Sequence, residues 1–172
     1  MNIESEESMT EIAQVLERLR FDKETGQFFW VNPSKHHLDL IGKVAGCVGR
    51  SNPNKKYWMI KLNGKAYKRA RLVYLITHGK WPEPCVDHIN GNSLDDRPEN
   101  LRQATVTENS WNHKFRKRKI NLPMGVRVNP AGTYSARISV NKKQIHLGCF
   151  KTTEEAHSVY QMARKEMYGQ FA

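Results

Sequence analysis

The 172-residue chain is long enough for one or two small domains and too short for a large enzyme. Its formal net charge is +11, made up of −4 over residues 1–30, +6 over 31–113 and +9 over 114–172, so the expected partner is a polyanion, nucleic acid first of all. No run approaches the ~18 apolar residues of a membrane span, the acidic N-terminus lacks the apolar stretch of a secretory signal, and Cys47, Cys85 and Cys149 lie too far apart for a zinc knuckle or a closed disulfide set. These features speak against a membrane span or secretion, leave a ribosomal or membrane-surface role as the competitor to nucleic-acid binding, and lead to the expectation of a cytoplasmic protein with reduced thiols.

In chain order, Ile12, Val15, Leu16 and Leu19 recur at helical spacing and predict a short amphipathic helix over 8–20. Thr25-Gly26 reads as a turn and Gln27 to Val31 as a strand. Residues 32–56, rich in Gly, Asn, Pro, Ser and Lys, read mostly as loop. Tyr57 to Leu62 alternates polar and apolar residues, and Asn63-Gly64 is a strong hairpin signal, because both turn positions need positive φ. Lys65 to Lys68 is the return strand. ARLVYLITHGKWP (70–82) predicts a helix stopped at Gly79 and barred beyond Pro82. FRKRKINLP (115–123) reads as a basic linker. Beyond it come a strand from Gly125 to Val128, a turn at 130–132, a strand from Thr133 to Val140, a turn at 141–143 and a strand from Gln144 to Phe150. Thr152 with Glu155 is a capping box, and Ala156, Val159, Tyr160, Ala163 and Met167 line one face of the helix that follows.

The stretch from Val86 to His113 carries the chemistry. Asp87-His88 ends an apolar approach, and the loop INGNSLDDRPEN is dense in turn-forming residues. Leu101 to Ala104 is a short strand. Thr105 with Glu108 caps a helix on which Asn109 and His113 lie one turn apart. Hydrolysing a phosphodiester needs a base for water, a cation to neutralise growing charge, and positioning. The imidazole of His88 suits the base, since it titrates near neutral pH. A carboxylate and an amide oxygen suit a hard divalent cation.

The pattern DHINGN (87–92), DDRPENLR (95–102) and Asn109 resembles the HNH homing endonucleases of phages and introns. FDKETGQFFW (21–30), the Asn63-Gly64 hairpin and RLVYLITHGKWP (71–82) are similar to the N-terminal part of the same family. The resemblance covers roughly residues 20–113. It implies a ββα-metal core in which His88 is the general base and Asp87 and Asn109 ligate one divalent metal, Mg²⁺ or Mn²⁺. It also implies that Asn100 braces the loop and orients His88. His113 stands where many members place a second metal-site histidine, although it could instead touch phosphate. Arg97 either ties the loop or meets the scissile strand. Ala70 is a departure: members often carry histidine directly before Arg-Leu.

GVRVNPAGTYSARISVNKKQIHLGCFKTTEEAHSVYQMA (125–163) resembles the Apetala, or ethylene-response-factor, DNA-binding domain. The resemblance implies a three-stranded sheet laid in the major groove with Arg127 and Arg137 facing DNA. Strand alternation agrees, placing Tyr134, Ala136 and Ile138 on one face and Ser135, Arg137 and Ser139 on the other. Cys149 and Ser135 replace the threonine and tryptophan common in that family, so no base preference carries over.

The expected protein is therefore α+β, a ββα-metal nuclease module followed by a small three-stranded antiparallel sheet with one helix. Its expected parts are an N-terminal helix (1–22), a nuclease domain (23–114), a basic linker (115–123) and a DNA-binding domain (124–172). It should act on double-stranded DNA as a monomer, leaving 5′-phosphate and 3′-hydroxyl ends, with Lys114, Arg116, Lys117 and Arg118 on phosphates. A homing nuclease of a phage would work in the host cytoplasm. The rival expectation is a DNA-binding regulator whose nuclease fold is weak or inert.

Overall fold

Helical periodicity ends earlier than the apolar spacing implies. In a computed structural model that describes residues 3–52, 55–112, 122–141 and 143–172, the first helix, α1, is Ile3–Arg18. Leu19 does not extend it but opens strand β1 (Leu19–Asp22), which pairs antiparallel with β2 (Gln27–Trp30). Leu19 is wholly buried, so its apolar character is used either way, and strand pairing decides the backbone. Asp22 closes the turn by accepting from the Glu24 amide and the Thr25 hydroxyl, while Gly26 N donates to Asp22 O at 2.9 Å.

A three-stranded antiparallel sheet follows, in the order β3 (Cys47–Asn52), β4 (Lys55–Leu62), β5 (Lys65–Lys68). β3 lies in the stretch read as loop. Its Gly49 and Asn52 have little strand propensity of their own, and cross-strand pairing to β4 overrides that. The β4–β5 turn has the expected positive φ at Asn63 (48°) and Gly64 (81°). Helix α2 (Arg69–His78) ends at Gly79, whose amide bonds Leu75 O at 2.8 Å in a left-handed cap. Leu72 and Val73 of α2 join Leu19, Phe28, Ile60 and Leu101 in one core. Ala70 is buried in that core too, which gives that position a packing role in this chain.

The antiparallel hairpin β6 (Cys85–His88) and β7 (Leu101–Ala104), then helix α3 (Val106–Trp111), complete a strand–loop–strand–helix unit. Thr105 caps α3 as read from the sequence: its hydroxyl accepts from Glu108 N at 3.2 Å, and the Glu108 carboxylate accepts from Thr105 N at 2.7 Å. All these elements up to Asn109 belong to one compact unit, Met1–Asn109.

The second unit is Ser110–Ala172. Its sheet runs β10 (Lys143–Phe150), β9 (Tyr134–Val140), β8 (Val126–Val128), all antiparallel, with helix α4 (Thr153–Tyr168) packed on one face. Ala136 and Ile138 meet Ala156 and Tyr160 there in a core that includes Val126. Gly125 enters this core at φ 80°, and a Cβ at that position would overlap the Tyr160 ring. The architecture is α+β throughout, and no described helix is long and apolar enough to cross a membrane.

Both halves of the Thr152–Glu155 capping box are formed. Thr152→Ala is therefore expected to destabilise the second unit by about 1 kcal/mol, read as a lower denaturation midpoint for that unit; an unchanged midpoint would show the cap to be dispensable.

Candidate active site

Asp87 and His88 close strand β6, and both are buried, at 4% and 8% relative exposure. Arg102 stands directly across from Asp87 on β7. Its Nε and Nη2 each approach Asp87 Oδ2 at 2.8 Å, a charge-assisted pair that fixes the carboxylate. The His88 ring is held differently. Its Nε2 lies 2.8 Å from Asp96 Oδ1, and Asp96 Oδ2 accepts from Arg69 Nε at 2.8 Å. Asp96 is only 2% exposed. The Arg69 guanidinium lies over the Trp58 ring, 4.5 Å from its centroid.

In the loop from Ile89 to Asn100, side-chain oxygens of its own asparagines accept from the backbone amides of Asn90, Asn92 and Leu94. Asn100 is the hub. Its Nδ2 donates to Asp95 O at 2.7 Å and Asn90 Oδ1 at 3.1 Å, and its Oδ1 accepts from Asn90 N at 3.0 Å. Arg97 binds Asp95 in a bidentate fork at 2.8 and 2.9 Å and adds Glu99 at 3.2 Å. That fork holds the Asp95 carboxyl down at about 2, with Asn90 assisting. Ser93 Oγ donates to Lys56 O at 2.7 Å, which ties the loop to the start of β4. The β1–β2 turn presses on the loop from another side, where a Cβ at Gly26 (φ 66°) would overlap the Asp96 carbonyl.

The structure brings some sequence-predicted residues together and not others. Asn109 sits on α3 with its Nδ2 3.8 Å from Cys85 Sγ. Cys85 and Asp87 share a face of β6, so the Asn109 amide and the Asp87 carboxylate address the same side of the hairpin. The Asn100 side chain bonds Asn90 and Asp95, and the side-chain oxygen that meets His88 Nε2 is Oδ1 of Asp96. Arg97 is engaged with Asp95 and Glu99. His113, Lys114, Arg116, Lys117 and Arg118 lie outside the described residues. In the second unit Arg127 pairs across with Ser135, two residues from Arg137 on the same strand face, so both arginines point away from α4. Arg127 is exposed; Arg137 is half-buried, with its Nη1 3.4 Å from Gln144 Oε1.

Three residues of the site escaped the sequence reading: Arg69, Asp96 and Arg102. Asp96 stood in view within DDRPEN but had no local partner to mark it. Arg102 becomes visible only through the hairpin register, and Arg69 is 27 residues from Asp96.

Residues 67–111, which hold α2, the hairpin and α3, match the profile of the HNH endonuclease family. An uncharacterized HNH endonuclease of Acanthamoeba polyphaga mimivirus is 35% identical over 149 residues, 86% of this chain and 74% of that relative. Protein 3.8 of Escherichia phage T7 is 32% identical over 110 residues, 63% of this chain and 90% of that relative. No solved structure matches the chain. With the strand–loop–strand–helix unit in place, these matches settle the family: the chain belongs to the HNH endonucleases, with relatives in viruses.

The Asp95–Arg97 fork makes the loop sensitive to acid. The folded carboxyl is depressed, so the pair's contribution is complete above the ordinary value of 3.8 and is lost as pH falls toward about 2. In Arg97→Ala the Asp95 midpoint, followed by carboxyl ¹³C shifts, should rise toward 3.8; a midpoint that stays near 2 would assign the depression to another group.

Proposed function

We propose that this chain is a site-directed DNA endonuclease that hydrolyses a phosphodiester with His88 as general base and one divalent metal held by Asp87 and Asn109. The observation that carries this reading is the β6–β7–α3 unit itself. It places His88 at the strand end and turns Asp87 and the Asn109 amide toward the same side, inside the stretch that matches the HNH profile.

The donor chemistry fits a hard cation. The described residues hold no group of three or more His, Cys, Asp or Glu side chains placed to share a metal ion. A carboxylate and a carboxamide oxygen, completed by water and phosphate oxygens, match the preferences of Mg²⁺ or Mn²⁺ rather than those of zinc. When bound, such an ion would neutralise charge building on the phosphate and on the departing 3′ oxygen.

The chain's own residues do the rest. His88 takes a proton from water, whose oxygen then bonds to phosphorus as the bond to the 3′ oxygen breaks. The products are a 5′-phosphate and a 3′-hydroxyl. Arg102 keeps the Asp87 carboxylate in one orientation, and Asn100 keeps the loop after His88 folded.

The second unit supplies targeting in this reading. Its sheet and helix fit the Apetala-type arrangement, and a β-ribbon of this width enters the major groove, where arginine reads guanine bidentately. Arg127 and Arg137 share the face away from α4. The organisation is then a nuclease module within 23–114, a linker at 115–123 and a reader at 124–172. Lys114, Arg116, Lys117 and Arg118 would lie on phosphates, and His113 would be near the metal. A monomer acting in the cytoplasm of a host cell, as a homing endonuclease of a viral genome, accounts for the company of viral relatives.

Incubation with plasmid and Mg²⁺ or Mn²⁺ should give cut DNA that a chelator abolishes, with end sequencing showing 5′-phosphates. His88→Ala should lose cleavage while retaining DNA binding; full cleavage by that variant would sink the assignment. In the second unit, Arg127→Ala and Arg137→Ala should each weaken site-specific binding by about 1–3 kcal/mol. A uniform loss on all sequences would make them phosphate contacts instead, and no loss would remove the reader role.

A further inference from the structure

We infer that Cys149 is a modification site: its thiol takes an anionic low-molecular-weight disulfide, and the mixed disulfide so formed blocks the face of the second unit that carries Arg127 and Arg137. The consequence for DNA rests on the reading of that face as the DNA reader; the modification itself does not.

A bulge in β10 makes the site. On a regular strand His146 and Cys149, three positions apart, would point to opposite faces. The register slips between His146, which faces Arg137, and Gly148, which faces Ala136, so Leu147 is the extra residue. Gly148 carries the backbone through at φ 136°, where a side chain would be strained. His146 and Cys149 thereby share the face away from α4, with His146 Nε2 3.7 Å from Cys149 Sγ. Asn129 Nδ2 donates to the same sulfur at 3.5 Å and to Thr133 Oγ1 at 3.0 Å. Cys149 is exposed, so a reagent in solution reaches it.

A second observation points into the same patch. Ser135 stands directly across from Cys149, and Arg127 stands across from Ser135 on the other side, so the three form a row over the sheet. Ser135 is only 1% exposed, yet its Oγ has no hydrogen-bond partner among the described residues. Arg137 Nε, two residues along β9, is buried without one as well. Buried donors left in this state call for a ligand that brings acceptors. Residues 125–151 contain no aspartate or glutamate, so nothing on this sheet repels a carboxylate. A disulfide that carries carboxylates meets all of these demands. The Cys149 thiol gives its proton to His146 or to solvent, and its sulfur bonds the near sulfur of the reagent as the reagent's own S–S bond breaks. The far half leaves as a thiolate with the bonding pair; Cys149 is oxidised and the departing sulfur is reduced. The group left behind places its carboxylates against Arg127 and Arg137 and fills the space that DNA would enter.

Cys47 is the internal control, since it is exposed too but has neither a histidine nor an amide donor at its sulfur among the described residues. The full chain is treated with glutathione disulfide, quenched with an alkylating agent and mapped by peptide mass. Cys149 should gain the adduct roughly tenfold faster than Cys47, and His146→Gln should slow Cys149 while leaving Cys47 unchanged. The half-saturating concentration of duplex DNA, followed by fluorescence anisotropy, should rise by roughly tenfold in the modified protein and return on adding dithiothreitol. Cys149→Ser should bind DNA as the reduced protein does and ignore the reagent. Modification of Cys47 as fast as Cys149 would overturn the site. A Cys149→Ser variant that still loses DNA binding on treatment would overturn the blockade, as would an adduct on Cys149 that leaves binding unchanged. Arg127→Ala and Arg137→Ala separate the two readings. If they weaken binding while the adduct does not, only the blockade falls; if neither weakens it, the reader role falls with the blockade, and the mass mapping alone decides the site.

Discussion

A buried chain of charge, Arg69 to Asp96 to His88, organises this protein around its nuclease hairpin. Each link is 2.8 Å, and almost no water reaches it. Burying a carboxylate is expensive, and removing one partner of a buried pair costs on the order of 3–5 kcal/mol. The chain therefore persists only where the surrounding fold satisfies it. The Trp58 face, the Leu94 carbonyl and the bare backbone of Gly26 supply that surrounding, so parts of the N-terminal half that carry no chemistry still define where the histidine stands.

The loop between β6 and β7 follows the same economy on its own scale. A segment this irregular must find partners for its amides and carbonyls, and here they are its own Asn side chains together with backbone carbonyls of the same loop. Asn100 spans the loop from Asn90 to Asp95, and Asp95 is clasped by Arg97. Asp87 and Asp96 belong to separate networks, one closed by Arg102 across the hairpin and the other by Arg69 from α2.

Parts of this design were legible in the residues. The motif itself, with Asp87, His88, Asn100 and Asn109, marks a strand–loop–strand–helix unit, because each of its turns and caps is a local matter. Both capping boxes, Thr105–Glu108 and Thr152–Glu155, form as their spacing implies. The alternation of β9 correctly divides Ala136 and Ile138 from Arg137. Other parts were hidden. Leu19 fits a helix by spacing yet begins a strand, and Cys47 to Asn52 lacks strand propensity yet pairs with β4. In both cases a partner distant in sequence outweighs a weak local preference. The hydrogen bond to His88 belongs to Asp96 rather than to Asn100, a choice between two polar residues four positions apart that spacing cannot resolve.

The sequence by itself determined what depends on near neighbours: the hairpin at Asn63-Gly64, the caps, the amphipathic faces, the family motif and the basic balance that calls for a polyanion. These follow from φ preferences, side-chain-to-backbone bonds and summed charge, all of which act within a few residues or irrespective of fold. Only the tertiary structure decided which side chains hold the site. Arg69 meets Asp96 from 27 residues away, Arg102 meets Asp87 from 15, and Gly26 meets the Asp96 backbone across the fold. Such pairings are set by strand register and by the packing of α2 on the sheet, and neither leaves a periodic trace in the chain. Val86 to His113 announces the chemistry, while the Asp96 that meets its histidine is itself held by Arg69, from outside that stretch.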